Sequence, residues 1–419
     1  MVHIEIPQDV SFILHKLRAA GFEGYAVGGC VRDSLLGKVP KDWDITTSAL
    51  PQEVKELFQR TVDTGIKHGT VTVLVNGTGY EVTTYRVDGE YLDGRHPEEV
   101  SFTASLDEDL KRRDFTINAF VYNESEGIKD LFEGLKDLEN GIIRCVGIPE
   151  ERFSEDALRI LRAVRFAAAL SFTIEPATYE AACRLKENLR KVSAERIRTE
   201  LEKTLISDNP DYICLLKDMG IDGVILEELK AVKDAESLKL ALKSCQSVAS
   251  IRWAVLGFFI EKADEREETG AITRNMMRRL KFDNRTIDTV GLFLRTREKM
   301  EKEFFGGTKE YPVVGRRLLN VIGEEDIYSY IDFAYTVCES KSYKDEYPVI
   351  KSEIEKILER GDCFSLKKLA VNGRDLKDGH IAEGKELGML LDQLLEMVIV
   401  DPEKNTRDYL LEVAKAYGH

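Results

Sequence analysis

Over residues 10–20 apolar side chains recur at helical spacing, which predicts an amphipathic helix with Phe12, Ile13 and Leu17 on its inward face. Tyr25-Ala26-Val27 is a short apolar run stopped by two glycines and reads as a buried strand. Residues 31–36 predict a short helix ended by Gly37. Residues 71–75 and 80–85 are rich in β-branched and aromatic side chains, and Asn76-Gly77-Thr78-Gly79 between them is a hairpin signal. Near Phe153 the pattern changes. From Ser154 onward the chain reads almost wholly helical, with few glycines and little alternation, and no repeat or low-complexity segment interrupts it. The expected class is therefore α+β: a mixed head at residues 1–147 followed by helices. The breaks expected inside the helical part lie at Asp208-Asn209-Pro210 and Gly306-Gly307.

The 419 residues are enough for two or more domains, and 43% hydrophobic with 32% charged residues describes a soluble globular protein. No apolar run of about 18 residues exists, so no membrane partner is expected. Residues 1–10 lack a basic segment followed by an apolar core, which argues against secretion. The seven cysteines are scattered without a C-x-x-C pair; reduced thiols in a cytoplasmic protein are expected rather than a disulfide framework or a zinc site. A net charge of −15 argues against nonspecific coating of nucleic acid, DNA included. It leaves room for local basic tracks, at Lys111-Arg112-Arg113 and at Arg274, Arg278, Arg279, Lys281 and Arg285, although solvated helix faces have the same composition.

The chemistry concentrates near the start. Gly28-Gly29-Cys30-Val31-Arg32-Asp33 follows the strand of residues 25–27 and opens a helix. Glycines without Cβ let backbone N–H groups approach a phosphate, the helix N-terminus adds a favourable dipole, and Arg32 lies one turn on. Asp42-Trp43-Asp44 follows. Residues two apart on a strand share a face, so Asp42 and Asp44 can hold one or two hard cations while Trp43 packs on the other side. Glu81, opening Glu81-Val82-Thr83-Thr84, is the expected third carboxylate from a neighbouring strand. Alone, an Asp-x-Asp pair is as readily a surface turn; the glycine motif ahead of it decides for a metal site.

Four further stretches complete the set: Arg86-x-Asp88-Gly89-x-Tyr91-x-Asp93-x-Arg95-His96-Pro97; Arg112-Arg113-Asp114-Phe115-Thr116-Ile117-Asn118; Glu155-Asp156-x-x-Arg159-x-x-Arg162; and Ser193-x-Glu195-Arg196-Ile197. In this order they resemble the bacterial class II tRNA nucleotidyltransferases, the CCA-adding enzymes of the DNA polymerase β-like superfamily. The resemblance is strong over about residues 20–205. Beyond that it is carried by Leu369-Ala370-Val371-Asn372-Gly373-Arg374-Asp375. It implies a polymerase β-like mixed-sheet head (1–147), a helical neck reading the base (148–206), a helical body (207–300) and a helical tail binding tRNA (301–419). It implies catalytic Asp42, Asp44 and Glu81 with two Mg2+ ions. Nucleotide binding would fall to Gly28, Gly29, Arg32, Arg113, Asp114, Asn118, Asp156, Arg159 and Arg162. A flexible loop would contain Arg86, Asp88, Gly89, Tyr91, Asp93 and Arg95, with His96 as loop structure rather than a general base.

The base-reading motif makes chemical sense. On a helix, Asp156 and Arg159 at i and i+3 project to one face. A carboxylate only accepts and a guanidinium only donates. Cytosine and adenine each present an amino donor beside a ring-nitrogen acceptor, which the pair matches, whereas uracil and guanine present the reverse. CTP and ATP would be chosen without a nucleic-acid template, and the 3′ end of tRNA would receive them with loss of pyrophosphate. Asp114 and Asn118 would meet the sugar hydroxyls, and Arg113 the phosphates or base edge. Relatives that add only CC lack the flexible loop that this chain keeps. A-adding relatives keep it and stay open. Poly(A) polymerase shares head and neck but carries basic extensions not seen between Met1 and His419. A noncatalytic nucleotide- or RNA-binding regulator would have no need of paired metal carboxylates, and a small-molecule nucleotidyltransferase no need of so long a helical part.

Overall fold

The computed structural model describes residues 3–88, 100–263, 268–303 and 310–417. Two compact units divide the chain, Met1–Lys230 and Ala231–His419.

The first unit is built on a seven-stranded sheet. Its strands are β1 (Gly24–Val27), β2 (Asp44–Thr47), β3 (Thr61–Gly65), β4 (Thr70–Val75), β5 (Thr78–Thr84), β8 (Phe120–Asn123) and β9 (Gly127–Asp130). They lie in the order β3-β4-β5-β2-β1-β8-β9. Neighbours run antiparallel except β2 and β5, which run parallel, so the sheet is mixed as expected. The central strands β1 and β8 are buried along their length, whereas the edge strand β3 is open to solvent. Between β5 and β8 a small hairpin pairs β6 (Arg86–Asp88) with β7 (Val100–Phe102).

Turn chemistry fixes register in the β4–β5 hairpin. Asn76 and Gly77 both adopt positive φ, at 50° and 86°, the conformation of a two-residue turn whose twist matches the strands. Thr78 and Gly79, expected in the loop, belong to β5. Helix α1 (Gln8–Ala19) buries Val10, Ile13, Leu14 and Leu17. Phe12, expected inward, is 50% exposed and meets Phe58 edge-on, with ring centroids 6.5 Å apart, because the buried stripe runs through 10, 13, 14 and 17 instead. Helix α2 (Gly29–Leu35) follows β1 directly, and α3 (Pro51–Leu57) follows β2.

After the sheet, α4 (Leu106–Lys111, placed between β7 and β8) and α5 (Gly134–Asn140) flank a single tight turn at Thr116–Asn118. Helices α6 (Pro149–Glu155), α7 (Leu158–Leu170), α8 (Pro176–Leu185) and α9 (Ala194–Leu205) then pack together. Helix α7 is buried through most of its length, including Arg159.

The second unit is helical throughout its described residues. Helix Ala249–Glu261 is apolar on all sides, with Trp253, Val255 and Leu256 fully buried, as expected for a helix enclosed by others. Around helix Gly384–Val400 a separate apolar cluster gathers Leu376, Leu394, Val398 and Leu410. The buried Arg316 guanidinium donates to the carbonyls of Ile399 (2.6 Å) and Val400 (3.3 Å) and pairs with Asp362 at 2.9 Å. It thereby satisfies carbonyls that the end of that helix leaves without partners. The chain break expected at Gly306-Gly307 lies outside the described residues. All seven cysteines are free thiols. No helix of the described residues is long and apolar enough to cross a membrane.

Candidate active site

The carboxylates come from two adjacent strands, Asp42 and Asp44 at the start of β2 and Glu81 within β5. Strand β2 begins at Asp44, so Asp42 stands just ahead of the strand rather than within it. The expected alternation survives nevertheless: Trp43 is 8% exposed, whereas Asp42 and Asp44 face solvent. The β1–β2 register sets Val27 against Asp44, bringing the Gly28 turn alongside. The parallel β2–β5 register sets Ile45 against Val82, so one step back Asp44 is level with Glu81. Residues level on neighbouring strands point to the same face. Crowding by the surrounding protein, then the charges of Asp42 and Glu81, push the Asp44 carboxyl up to about 6, against the opposing pull of Arg113.

Three carboxylates that repel one another are an oxygen donor set suited to a hard divalent cation, which would relieve that repulsion. Among the described residues no three His, Cys, Asp or Glu side chains are already gathered into a coordination shell. The donor set fits a metal by its chemistry.

Beside the carboxylates lies the glycine turn. Gly28 has φ 78° and ψ −129°, a conformation that L side chains avoid. A Cβ there would stand 3.6 Å from Arg113 Nη1, and one on Gly29 would stand 3.7 Å from Arg32 Nη2. Two guanidinium groups therefore close on a stretch of bare backbone at the start of α2, an arrangement suited to a polyphosphate.

Arg113 is aimed by Asp109, which is fully buried and which the reading of the sequence missed. The Asp109 carboxylate accepts from Arg113 Nη2 (3.2 Å), from Arg112 Nη2 (2.7 Å) and from the Thr46 hydroxyl (3.1 Å). Burial alone would raise its pKa, but the Arg113 and Arg112 charges prevail and hold it below the usual carboxylate range. The signal was present: Asp109 precedes Arg112 by three residues and Arg113 by four, the spacing of helical ion pairs.

Asp114 and Asn118 form one network with Arg32 and Arg162. Asn118 Oδ1 accepts from Arg32 Nη1 at 2.6 Å, and Asn118 Nδ2 donates to Asp114 Oδ1 at 3.2 Å. Arg162 on α7 donates through Nε to Asp114 Oδ2 at 2.7 Å. Burial would raise the Asp114 carboxyl; the charges of Arg162 and Arg159, with hydrogen bonds from Arg162 and Asn118, instead hold it at about 2. The Phe166 ring is packed under this network. The guanidinium carbons of Arg32, Arg162 and Arg165 lie 5.2, 5.3 and 3.9 Å from its centroid, and Phe115 meets it edge-on at 5.7 Å.

The structure does not bring the Asp156 and Arg159 side chains together on one helix face. Asp156 falls between α6 and α7, at φ −137° and ψ 102°. The reason is local: its Oδ1 accepts from the backbone N–H of Leu158 at 3.0 Å, an aspartate turn that competes with continuing the helix. Its Oδ2 accepts from Arg196 Nη2 at 2.7 Å. Arg159 pairs with Glu155 at 2.6 Å and donates to the Arg112 carbonyl at 2.8 Å. Of the expected flexible loop, Arg86 lies on β6 and donates to the His68 carbonyl, and the backbone of Asp88 ends that strand. Gly89, Tyr91, Asp93, Arg95 and His96 lie outside the described residues.

This geometry can be set beside known proteins. Residues 24–144 match the family described as Poly A polymerase head domain, and residues 171–233 match the one described as Probable RNA and SrmB-binding site of polymerase A. A CCA-adding enzyme of Lactiplantibacillus plantarum is 37% identical over 427 aligned residues, covering 99% of this chain and 98% of that protein. The chain belongs to the CCA-adding enzyme family. The crystal structure of the Bacillus stearothermophilus CCA-adding enzyme in complex with CTP superposes with a TM-score of 0.79 at 30% identity, covering 98% of each chain. A Thermotoga maritima CCA-adding enzyme complexed with tRNA shares the fold, with a TM-score of 0.64 at 21% identity over 98% of this chain and 96% of that one.

In this member of the CCA-adding family Asp114 ties the sheet to α7, and its titration sets a stability term. A carboxyl held at about 2 when folded and at 3.8 when free stabilises the fold above pH 4 and loses that contribution as pH falls from about 4 to 2. Asp114→Asn is expected to lower unfolding free energy in urea by on the order of 2 kcal/mol at pH 7. The deficit should shrink through that acid window; one that stayed constant with pH would assign it to packing.

Proposed function

We propose that this chain adds CCA to the 3′ end of tRNA from CTP and ATP, without a nucleic-acid template and with release of pyrophosphate. The observation that carries this reading is the approach of Asp42, Asp44 and Glu81 to the bare Gly28 turn and Arg113 on the central strands of the sheet. Membership of the CCA-adding family supports it. Within that reading residues 1–147 carry the chemistry, 148–206 the choice of base, and 207–300 and 301–419 the grip on tRNA.

The Gly28 and Gly29 backbone, Arg32 and Arg113 bind the triphosphate, and Arg113 is presented by the buried Asp109. Asp114 and Asn118 meet the sugar, held by Arg162 and Arg32. Asp156 and Arg159 face the base. For this, Asp156 uses the second lone pair on each oxygen, and Arg159 turns from Glu155 toward the ligand. The tRNA 3′-hydroxyl then attacks the α-phosphorus, the bond to the β-phosphate oxygen breaks, and pyrophosphate leaves. Asp42, Asp44 and Glu81 would hold the metal, two Mg2+ ions, which when bound ease deprotonation of the hydroxyl and offset charge on the leaving group. Positioning and charge do the rest, and no covalent enzyme intermediate is needed.

The experiment is extension of three tRNA transcripts, one lacking CCA, one ending in C and one ending in CC, with each nucleotide and with CTP and ATP together, read at single-nucleotide resolution. Three additions and a stop on the first transcript are expected. Extension of the CC-ending transcript alone would make the enzyme A-adding, and an adenosine ladder on any RNA would make it a poly(A) polymerase. In the same assay Asp42→Ala should abolish addition while leaving tRNA binding nearly intact; full turnover by that variant would remove Asp42 from the metal site. Replacing Asp156 and Arg159 together by Ala should relax discrimination of CTP over UTP by roughly tenfold or more, since selectivity then loses its paired polar groups. Unchanged discrimination with a raised KM would assign the two residues to packing.

A further inference from the structure

The tight turn Thr116–Asn118 carries Asn118 into the network with Asp114 and Arg32, and helix α5 grips that turn at two points. The first is steric. At Gly134, the first residue of α5, a Cβ would stand 2.3 Å from the Thr116 carbonyl oxygen, 2.9 Å from its carbonyl carbon and 2.8 Å from the Phe120 ring. The obstacle is backbone, which does not swing aside as a side chain can. The turn also needs that carbonyl where it is, since it accepts from the Ala119 N–H at 3.0 Å. The second point is a hydrogen bond one helical turn along. The buried Asp137 Oδ2 accepts from the Thr116 hydroxyl at 2.7 Å.

Asp137 is itself held. Arg144 Nε donates to both its oxygens, at 3.2 and 3.0 Å, and the same guanidinium reaches Glu175 at 3.3 Å. Glu175 caps α8 by accepting from the Thr178 N–H at 2.7 Å. The start of α5 is anchored as well: Asp130 accepts from the N–H groups of Gly134 and Leu135, at 2.9 and 2.8 Å. The backbone N–H of Thr116 donates to the Arg144 carbonyl at 2.9 Å, and the Val146 N–H donates to the Asp114 carbonyl at 3.1 Å. The segment bearing Asp114, Thr116 and Asn118 is thus clamped between α5 and the backbone of residues 144–146.

We propose that Gly134 and Asp137 are positioning residues for sugar recognition: by fixing Thr116 they set where Asn118 and Asp114 stand, and so set the preference for ribonucleotides over deoxyribonucleotides. Neither residue touches the nucleotide. The proposal rests on the reading that Asp114 and Asn118 meet the sugar. A hydroxyl-reading site discriminates only when its polar groups are held in place, and displacements well below an ångström weaken such contacts.

The test measures kcat and KM for ATP and dATP on the CC-ending transcript, for the unaltered enzyme and for Asp137→Asn, Thr116→Val, Gly134→Ala and Asn118→Ala, with thermal melting of each. Asp137→Asn and Thr116→Val are expected to lower the ATP/dATP preference by about tenfold. The loss should fall mainly on ATP KM, with dATP kinetics little changed. Gly134→Ala should act in the same direction, and Thr116→Val, which removes one hydroxyl, keeps the test sound if Gly134→Ala does not fold. If Asn118→Ala loses the preference while Asp137→Asn and Thr116→Val keep it, the positioning role is overturned and the sugar reading stands. If Asn118→Ala keeps the preference, the sugar reading fails and the positioning role fails with it. An equal loss for ATP and dATP in all variants would mark α5 as structural support alone.

Discussion

The ion pair between Asp114 and Arg162 is the contact on which the rest of the site depends. Asp114 belongs to the sheet-bearing part of the first unit and is buried, and Arg162, on α7, is partly exposed. A buried carboxylate without its partner would be strongly destabilising, so the pair dictates how α7 docks. Arg159, one turn earlier on α7, reaches the Arg112 carbonyl, and Phe166, one turn later, meets Phe115. These contacts place the α6–α7 junction, with Asp156, at a set distance from the start of β2, which carries Asp42 and Asp44, and from Glu81 on β5. On the proposed reading, the part that reads a base is thereby registered against the part that transfers a phosphate.

Such registration matters more here than in an enzyme that copies a strand. Where a template supplies complementarity, the protein has only to hold the duplex. On the proposed reading a nucleotide meets only side chains and backbone: the Gly28 turn, Arg32 and Arg113 at the phosphates, Asp114 and Asn118 at the sugar, Asp156 and Arg159 at the base. Three of these groups are each presented by another polar side chain, Arg113 by Asp109, Asn118 by Arg32 and Asp156 by Arg196. Satisfied networks of this kind hold a geometry, and partly satisfied ones do not.

Much of this was legible in the chain. The strand at residues 25–27 ending on two glycines could be read because an apolar run followed by a conformation only glycine tolerates leaves few alternatives. Glu81 could be matched with Asp44 because strand periodicity restricts which side chains share a face. What escaped were contacts whose cause is tertiary or set by one side chain. Asp156 was expected on a helix, but its carboxylate caps the Leu158 N–H and breaks the helix there. Asp109 looked like one acid in a charged segment, and only folding shows that it is buried between two arginines and Thr46. Gly134 is unremarkable in sequence, and its need for a bare backbone appears only when Thr116 is packed against it.

The central claim is that the protein, with no nucleic acid present, already distinguishes the bases. Calorimetric titration of the tRNA-free enzyme with CTP, ATP, UTP and GTP in turn tests it directly. The account predicts measurable binding of CTP and ATP, with UTP and GTP weaker by about tenfold or more, since each would oppose donor to donor and acceptor to acceptor. Equal affinity for all four nucleotides would contradict it, and would move the choice of base to the RNA.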